Sequence, residues 1–220
     1  MERRVIETGD GSYTLELEGI EETYHSRHGA VQESRYVFIL KGLAEILEAK
    51  DTINVLEVGF GTGLNALLTR EAINGINAKV NYHALETTPL DLEELNLLGY
   101  GKGVPDFEGF YQQMHEALWD ESVVLDEQFT ITKLKCALEE FESSVHFDLI
   151  YFDAFGPRTQ PHLWSLDLFK KLAQMTNSGG VFVTYCAKGQ VRRDLIEAGF
   201  EMERLSGPPG KRHMLRGVKP

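Results

Sequence analysis

Two stretches of the 220-residue chain carry residue types and spacings suited to chemistry. The first is Glu57-Val58-Gly59-Phe60-Gly61-Thr62-Gly63-Leu64-Asn65, three glycines at alternate positions between an acid and a helix start. Glycines let a backbone turn sharply and approach a ligand more closely than any Cβ permits. The first N–H groups of the following helix add partial positive charge. A dinucleotide fingerprint reads G-x-G-x-x-G, whereas these glycines read G-x-G-x-G behind a carboxylate. That carboxylate would repel a pyrophosphate and suit a cationic, amino-bearing ligand. The stretch therefore points to S-adenosylmethionine (SAM) ahead of NAD, with a ligand-free glycine turn as the plain alternative. Glu86, about 20 residues past the glycines, ends a second apolar strand, where an acid can accept both hydroxyls of a ribose.

The second stretch is His146-Phe147-Asp148-Leu149-Ile150-Tyr151-Phe152-Asp153-Ala154-Phe155-Gly156-Pro157. Its apolar strand carries Asp153 to the carboxyl end, where polar residues of a doubly wound sheet face the ligand crevice. Asp153 is thus a catalytic candidate, the alternative being an aspartate that caps a turn. Arg158, Gln160, His162 and Trp164 follow on the same loop and could meet a substrate. A polar run, Tyr24 to Arg35, holds His25, Arg27, His28, Gln32 and Arg35 close together, as a solvated loop or a substrate-side element.

The elements that must position these groups read as an α/β chain. Val5–Thr8 and Ser12–Glu18 flank Gly9-Asp10-Gly11 with alternating patterning, a hairpin. An apolar helix pattern runs from Arg35 to about Leu47, with Ser34 suited to its N-cap. Ile53–Val58, Lys79–Leu85, Phe129–Leu134, the run to Phe152 and Val181–Cys186 read as strands. Thr87-Thr88-Pro89-Leu90 reads as a helix start. Phe107, Phe110, Tyr111 and Trp119 read as core from an inserted helix rather than pocket lining. Ser165 to about Met175 and the stretch after Lys188 are helical, the latter stopped at Gly199. Glu201–Leu205 and His213–Gly217 pair around a basic Pro-Gly loop.

With 42% hydrophobic residues the chain can bury one sizeable core. The N-terminus lacks an apolar signal core, which predicts a cytoplasmic location, and no apolar run predicts a membrane span. Cys136 and Cys186 lack metal-type spacing and read as reduced thiols, so no metal is expected. Net charge is −12, but residues 151–220 hold 11 basic and 6 acidic side chains against 11 and 28 in residues 1–150. One basic face on an acidic body is a footprint for an anionic partner, or simply uneven solvation.

In YHSRHGAVQESRYVFI, LEVGFGTGLN, YFDAFGPRTQPHLWS, VTYCAKGQVRRDLIEAGF and GPPGKRHMLRG, in that order, the chain resembles the methyltransferase domain of the MnmC family. The resemblance spans most of the chain and implies a Rossmann-like, mostly parallel seven-stranded sheet with helices on both faces. Residues 1–34 would form a hairpin and substrate-side loop packed on a methyltransferase domain of residues 35–220, a single domain overall, without the oxidase domain of the fused enzymes. It implies SAM-dependent methylation of the 5-aminomethyl group of (2-thio)uridine at the tRNA wobble position. By motif, Glu57, Gly59, Gly61, Gly63 and Glu86 would hold SAM, with Asn65 at the helix start, and Asp153 would sit between SAM and the amine. Many relatives carry Gly-Asp after the third strand, for the adenine amino group. Here Lys135-Cys136 stands instead, which leaves adenine to backbone groups or another side chain.

The implied partners are the anticodon arm of tRNA and a separate enzyme that makes the aminomethyl group. His25, Arg27, Arg35, Arg158, Lys188, Arg192, Arg193, Lys211 and Arg212 would face the RNA. An alkylamine is mostly ammonium at neutral pH, and a carboxylate alone favours that charged form. A cation or apolar wall near Asp153 is therefore expected, with Phe155 and Arg158 the nearest in sequence. Rival readings are an aminopropyltransferase of the spermidine synthase type, another small-amine methyltransferase, a nicotinamide oxidoreductase, and a non-catalytic RNA-binding module.

Overall fold

The computed structural model describes residues 2–20, 22–104 and 107–220. Strands β1 (Arg3–Glu7), β2 (Tyr13–Leu17) and β3 (Glu22–Thr23) form a small antiparallel sheet in that order, one strand more than the expected hairpin. Helix α1 (Ala30–Ser34) follows, widens into a π-helical turn over Arg35–Leu40, and ends in a 3₁₀ turn at Leu43–Glu45. Ser34 is therefore a helix residue rather than an N-cap. The hairpin supplies the cap instead: Asp10 Oδ2 accepts from Gln32 N at 2.9 Å and Ser12 Oγ from Ala30 N at 3.2 Å. The π-helical turn ends at Leu40, short of the expected Leu47, and position 42 is confined to glycine because a Cβ there would meet Phe38 O at 2.5 Å and Val183 Cγ2 at 3.0 Å.

Then come β4 (Thr52–Val58), α2 (Leu64–Ala72), β5 (Lys79–Leu85), α3 (Leu92–Leu98), α4 (Tyr100–Gly103), α5 (Glu108–Glu116), β6 (Ser122–Val124) and β7 (Phe129–Leu134). The chain finishes with β8 (Phe147–Phe152), α6 (Leu166–Gln174), β9 (Thr176–Thr184), α7 (Gly189–Glu197), β10 (Glu201–Ser206) and β11 (His213–Val218). Helix α3 starts past Pro89 because Asp91 and Glu94 form a reciprocal capping box. Strand β9 starts earlier than Val181 and takes in Gly179-Gly180, with a register shift against β8.

The main sheet has eight strands in the order β10-β11-β9-β8-β4-β5-β7-β6. The eighth, β6, is three residues of polar and β-branched sequence pairing antiparallel to β7, too short to show in a hydrophobic pattern. The pairs β8–β9, β4–β8, β4–β5 and β5–β7 are parallel. The continuous apolar runs are explained by burial on both faces. Val55, Leu149, Tyr151 and Val183 pack toward α2 and the π-helical turn. Leu56, Ile150, Phe152 and Phe182 pack toward α6 and α7 with Trp164, Phe169 and Leu195. Each such side chain contributes about 1.5–3 kcal/mol, so the central strands are rigid and hold their carboxyl ends fixed. Phe107, Phe110 and Tyr111 are core, as their pattern suggested. Among the described residues no helix is long and apolar enough to cross a membrane.

Candidate active site

The carboxyl ends of β4, β5 and β8 border a cleft, the concave setting usual for small-molecule sites. The glycine loop forms its floor, with Gly59, Gly61 and Gly63 at φ of 92°, 49° and 71°. Gly59 is also fixed by close approach: a Cβ there would lie 2.9 Å from Asp153 O, so the loop and the end of β8 touch through backbone. Gly63 does not border the cleft; its flank is filled by Met114 and His115.

Glu86 is oriented by the loop itself. Its Oε2 accepts from Gly61 N and its Oε1 from Thr88 N, each at 2.9 Å. A carboxylate has about four lone-pair sites, so each oxygen keeps capacity for a diol. Beyond Glu86 the cleft is walled by Leu85, Cys136, Ala137, Leu138 and Leu163, an apolar slot for a flat ring.

Glu57 does not reach the cleft. It is fully buried, and Asn65 stands between it and the ligand space. Asn65 Nδ2 donates to Glu57 Oε1 and to Asp153 Oδ2, each at 2.8 Å, and Tyr82 OH donates to Glu57 Oε2 at 2.9 Å. One amide thus bridges two carboxylates, and Asn65 Oδ1 is left buried without a partner. Burial, then the like charge of Asp153, pushes Glu57 well above the carboxylate range. Burial, then Glu33, pushes Asp153 up likewise.

The Asp153 loop is held rigidly. Phe155 N donates to Gln160 Oε1 at 3.0 Å, Trp164 Nε1 to Phe155 O at 2.9 Å, and Tyr185 OH to Ala154 O at 2.9 Å. Tyr24 meets Phe155 edge-on at 5.1 Å, and Thr159 Oγ1 donates to Glu22 at 2.5 Å, tying the loop to the N-terminal sheet.

The candidate RNA-facing residues separate. His25 is buried between Thr14, Thr62 and Tyr100, and burial lowers its pKa to about 4, so it is a neutral strut under the glycine loop rather than a phosphate cation. Arg27 pairs with Glu16, and Arg35 pairs with Glu71 and lines a separate groove beside α3. Arg192 donates to Met202 O and Arg193 to Gln190, and neither borders the cleft. Arg158, Lys188 and Arg212 instead share an open basin with His213, Tyr185 and Lys211. Lys211 turns inward: its Nζ lies 2.5 Å from Glu33 Oε1 and 3.9 Å from the centre of the Tyr185 ring. A small chamber lined by Glu33, Asp153, Phe155, Tyr185 and Lys211 shares Asp153 and Phe155 with the cleft and Tyr185 and Lys211 with that basin. Glu33, Tyr185 and Tyr24 were not singled out by sequence. Glu33 lay within the flagged Tyr24–Arg35 run, but one acid among 34 acidic residues gives no signal of its own.

The sequence model of a family described as S-adenosyl-L-methionine-dependent methyltransferase matches residues 107–220. The chain is 29% identical over 214 residues to the "tRNA 5-methylaminomethyl-2-thiouridine biosynthesis bifunctional protein MnmC" of Nitrosospira multiformis, covering 90% of this chain and 34% of that protein. It is 32% identical over 212 residues to the protein of the same name from Burkholderia multivorans, covering 88% and 32%. The chain therefore spans about a third of the length of the curated relatives it matches. Among solved structures, MNMC2 from Aquifex aeolicus superposes with a TM-score of 0.80 at 24% identity, over 100% of this chain and 71% of that one. That likeness is one of fold.

Proposed function

The chain belongs to the S-adenosyl-L-methionine-dependent methyltransferases, and from that premise we propose that it methylates the 5-aminomethyl group of (2-thio)uridine at the tRNA wobble position, giving the 5-methylaminomethyl form. The residues of the cleft fit SAM. Among the described residues no lysine or arginine borders it, while Glu86 and Asp153 do, so it suits a cationic sulfonium and ammonium and disfavours the pyrophosphate of a dinucleotide. The orphaned Asn65 Oδ1 supplies a buried acceptor for a ligand N–H. Glu86 would take the ribose hydroxyls and the slot beside Cys136 the adenine, with Glu57 acting through Asn65. When bound, SAM supplies a methyl group on a positively charged sulfur.

The chain's own task is then positioning. An amine lone pair must be brought in line with the methyl at near-contact distance, and such positioning can supply most of the rate. Asp153 would orient the amine by hydrogen bonding, from a loop locked by Gln160, Trp164 and Tyr185. The single observation that carries the RNA reading is the basin of Arg158, Lys188 and Arg212 beside the chamber that Asp153 lines. In an acidic protein, clustered cations at the mouth of a site suit phosphates, which supply most nucleic-acid affinity. The relatives' name points the same way. We read residues 1–34 as the substrate-side element and place the activity in the cytoplasm, downstream of the reaction that installs the aminomethyl group.

The test is incubation of the purified chain with SAM and tRNA from a strain lacking this methylation, followed by mass spectrometry of the nucleosides. The expected result is a gain of one methylene on 5-aminomethyl-(2-thio)uridine alone. Transfer of an aminopropyl group from decarboxylated SAM, or no change in the tRNA, would overturn the reading.

A further inference from the structure

We propose that Lys211 sets the protonation state of the acceptor amine: its ammonium, held against Glu33 and over the Tyr185 ring, is the counter-charge that lets an amine beside Asp153 react in neutral form. The inference rests on the reading that the acceptor is a primary amine.

Lys211 comes from the Pro-Gly loop between β10 and β11, where a lysine would ordinarily reach into solvent. The loop is fixed by Lys211 N donating to Pro208 O at 2.9 Å and Gly207 N to Arg212 O at 3.1 Å. Its side chain borders the basin, yet its ammonium reaches inward to Glu33, whose own side chain is only 8% exposed and whose Oε2 accepts from Ser26 N at 2.8 Å. A phosphate contact needs neither a buried carboxylate nor an aromatic face, so this placement serves the chamber. Among the described residues lining the chamber, Lys211 is the one fixed cation, facing Glu22, Glu33 and Asp153. The other titratable neighbours are uncharged: His25 is neutral, and burial raises the Tyr185 phenol and the Cys186 thiol.

Carboxylates without a counter-charge would hold an incoming alkylamine as ammonium, which has no lone pair. With Lys211 present, the ammonium loses its proton to solvent more readily. The freed nitrogen lone pair forms the new N–C bond as the C–S bond breaks and its electron pair stays on sulfur. The product leaves as a secondary ammonium, carrying the positive charge that the sulfonium gave up.

The experiment measures single-turnover methyl transfer from radiolabelled SAM to undermethylated tRNA, from about pH 6 to pH 10, with SAM affinity by calorimetry. For Lys211→Met the midpoint of the rising pH profile should move about one unit or more to alkaline, tenfold or more in rate at neutral pH. The rate should rejoin wild type at high pH with SAM affinity unchanged. Lys211→Arg should keep the wild-type midpoint. Glu33→Gln should move it the opposite way, a sign that damaged folding cannot mimic. Three results would overturn the inference: a rate lowered by one factor at every pH, a loss of SAM affinity with the midpoint unmoved, or a rise confined to the KM for tRNA. A wild-type protein that binds SAM but transfers no methyl to tRNA would fail the amine-acceptor reading itself, and the role of Lys211 with it.

Discussion

The two halves of the cleft are assembled in opposite ways. The polar groups of the cofactor half are drawn from one run of chain, Glu57 to Thr88, and bond within it: Asn65 to Glu57, Gly61 to Glu86, Thr88 to Glu86. The acceptor half is drawn from four separated segments. Lys211 meets Glu33, Thr159 meets Glu22, Tyr185 meets Ala154, and Tyr24 packs on Phe155. Asn65 is the hinge between the halves, since the same amide group holds Glu57 and Asp153. A strand–loop–helix unit can encode a nucleoside site almost locally. A site for a second substrate has to be closed over it by whatever the rest of the fold brings near. Changes in one half should therefore leave the other half's observable largely intact, and this separation can be tested.

The largest effect is expected in the acceptor half. Asp153→Ala should lower single-turnover methyl transfer by about 10²-fold or more, with SAM affinity changed only a few-fold by calorimetry. Near-normal transfer at saturating tRNA would remove Asp153 from the reaction and dissolve the distinction between the halves.

Glu86→Ala should produce the converse pattern. It deletes charge-assisted hydrogen bonds worth roughly 1.5–3 kcal/mol each, so SAM should bind tenfold or more weakly while the rate at saturating SAM falls much less. Unchanged affinity would mean that the ribose lies elsewhere.

A smaller change is expected at the basin. Arg158→Glu together with Arg212→Glu should raise the KM for tRNA several-fold. It should also flatten the salt dependence by about one unit of slope per lost phosphate contact, and SAM affinity should not move. Normal methylation across a salt titration would place the RNA on another face.

The smallest effect on activity is expected at Glu57, which lies behind Asn65 and touches no ligand space. Glu57→Gln should keep turnover within a few-fold and show itself in stability. The folded protein holds the Glu57 proton to a higher pH than the unfolded chain, whose glutamate titrates near 4.3. The folded state therefore binds more protons, and its stability falls as pH rises above the unfolded value and through the raised folded one. Urea midpoints of wild type relative to Glu57→Gln should be highest at acid pH and decline upward. A difference independent of pH would show that Glu57 is ionised in place.

Much of the cofactor half was legible in the residues. The glycine spacing, the acid behind it and Glu86 at the end of β5 each obey a local rule, and β5 and β7 fall where period and apolar content put them. Even there, Glu57 and Gly63 turned out to stand behind the site rather than in it, because neither motif nor spacing says which way a side chain points at a sharp turn. The N-cap at Ser34 failed for a related reason: the true cap, Asp10, is 22 positions from the N–H it satisfies, and a cap supplied across the fold leaves no local pattern.

The tertiary structure alone decided the acceptor half. Sequence can count cations but cannot rank them by where they end. Arg192 and Arg193, adjacent on α7, point away from the cleft. Lys211 and Arg212, adjacent on one loop, both border the basin, but only Lys211 also enters the chamber and meets a buried glutamate. His25, with two polar neighbours and a tyrosine, became a neutral strut because burial removes its charge. Local chain chemistry fixes a strand, a turn and a helix start, since their energies depend on nearest neighbours. The charge state and company of a side chain depend on what the whole core places around it, and that is settled only when distant segments close over the sheet.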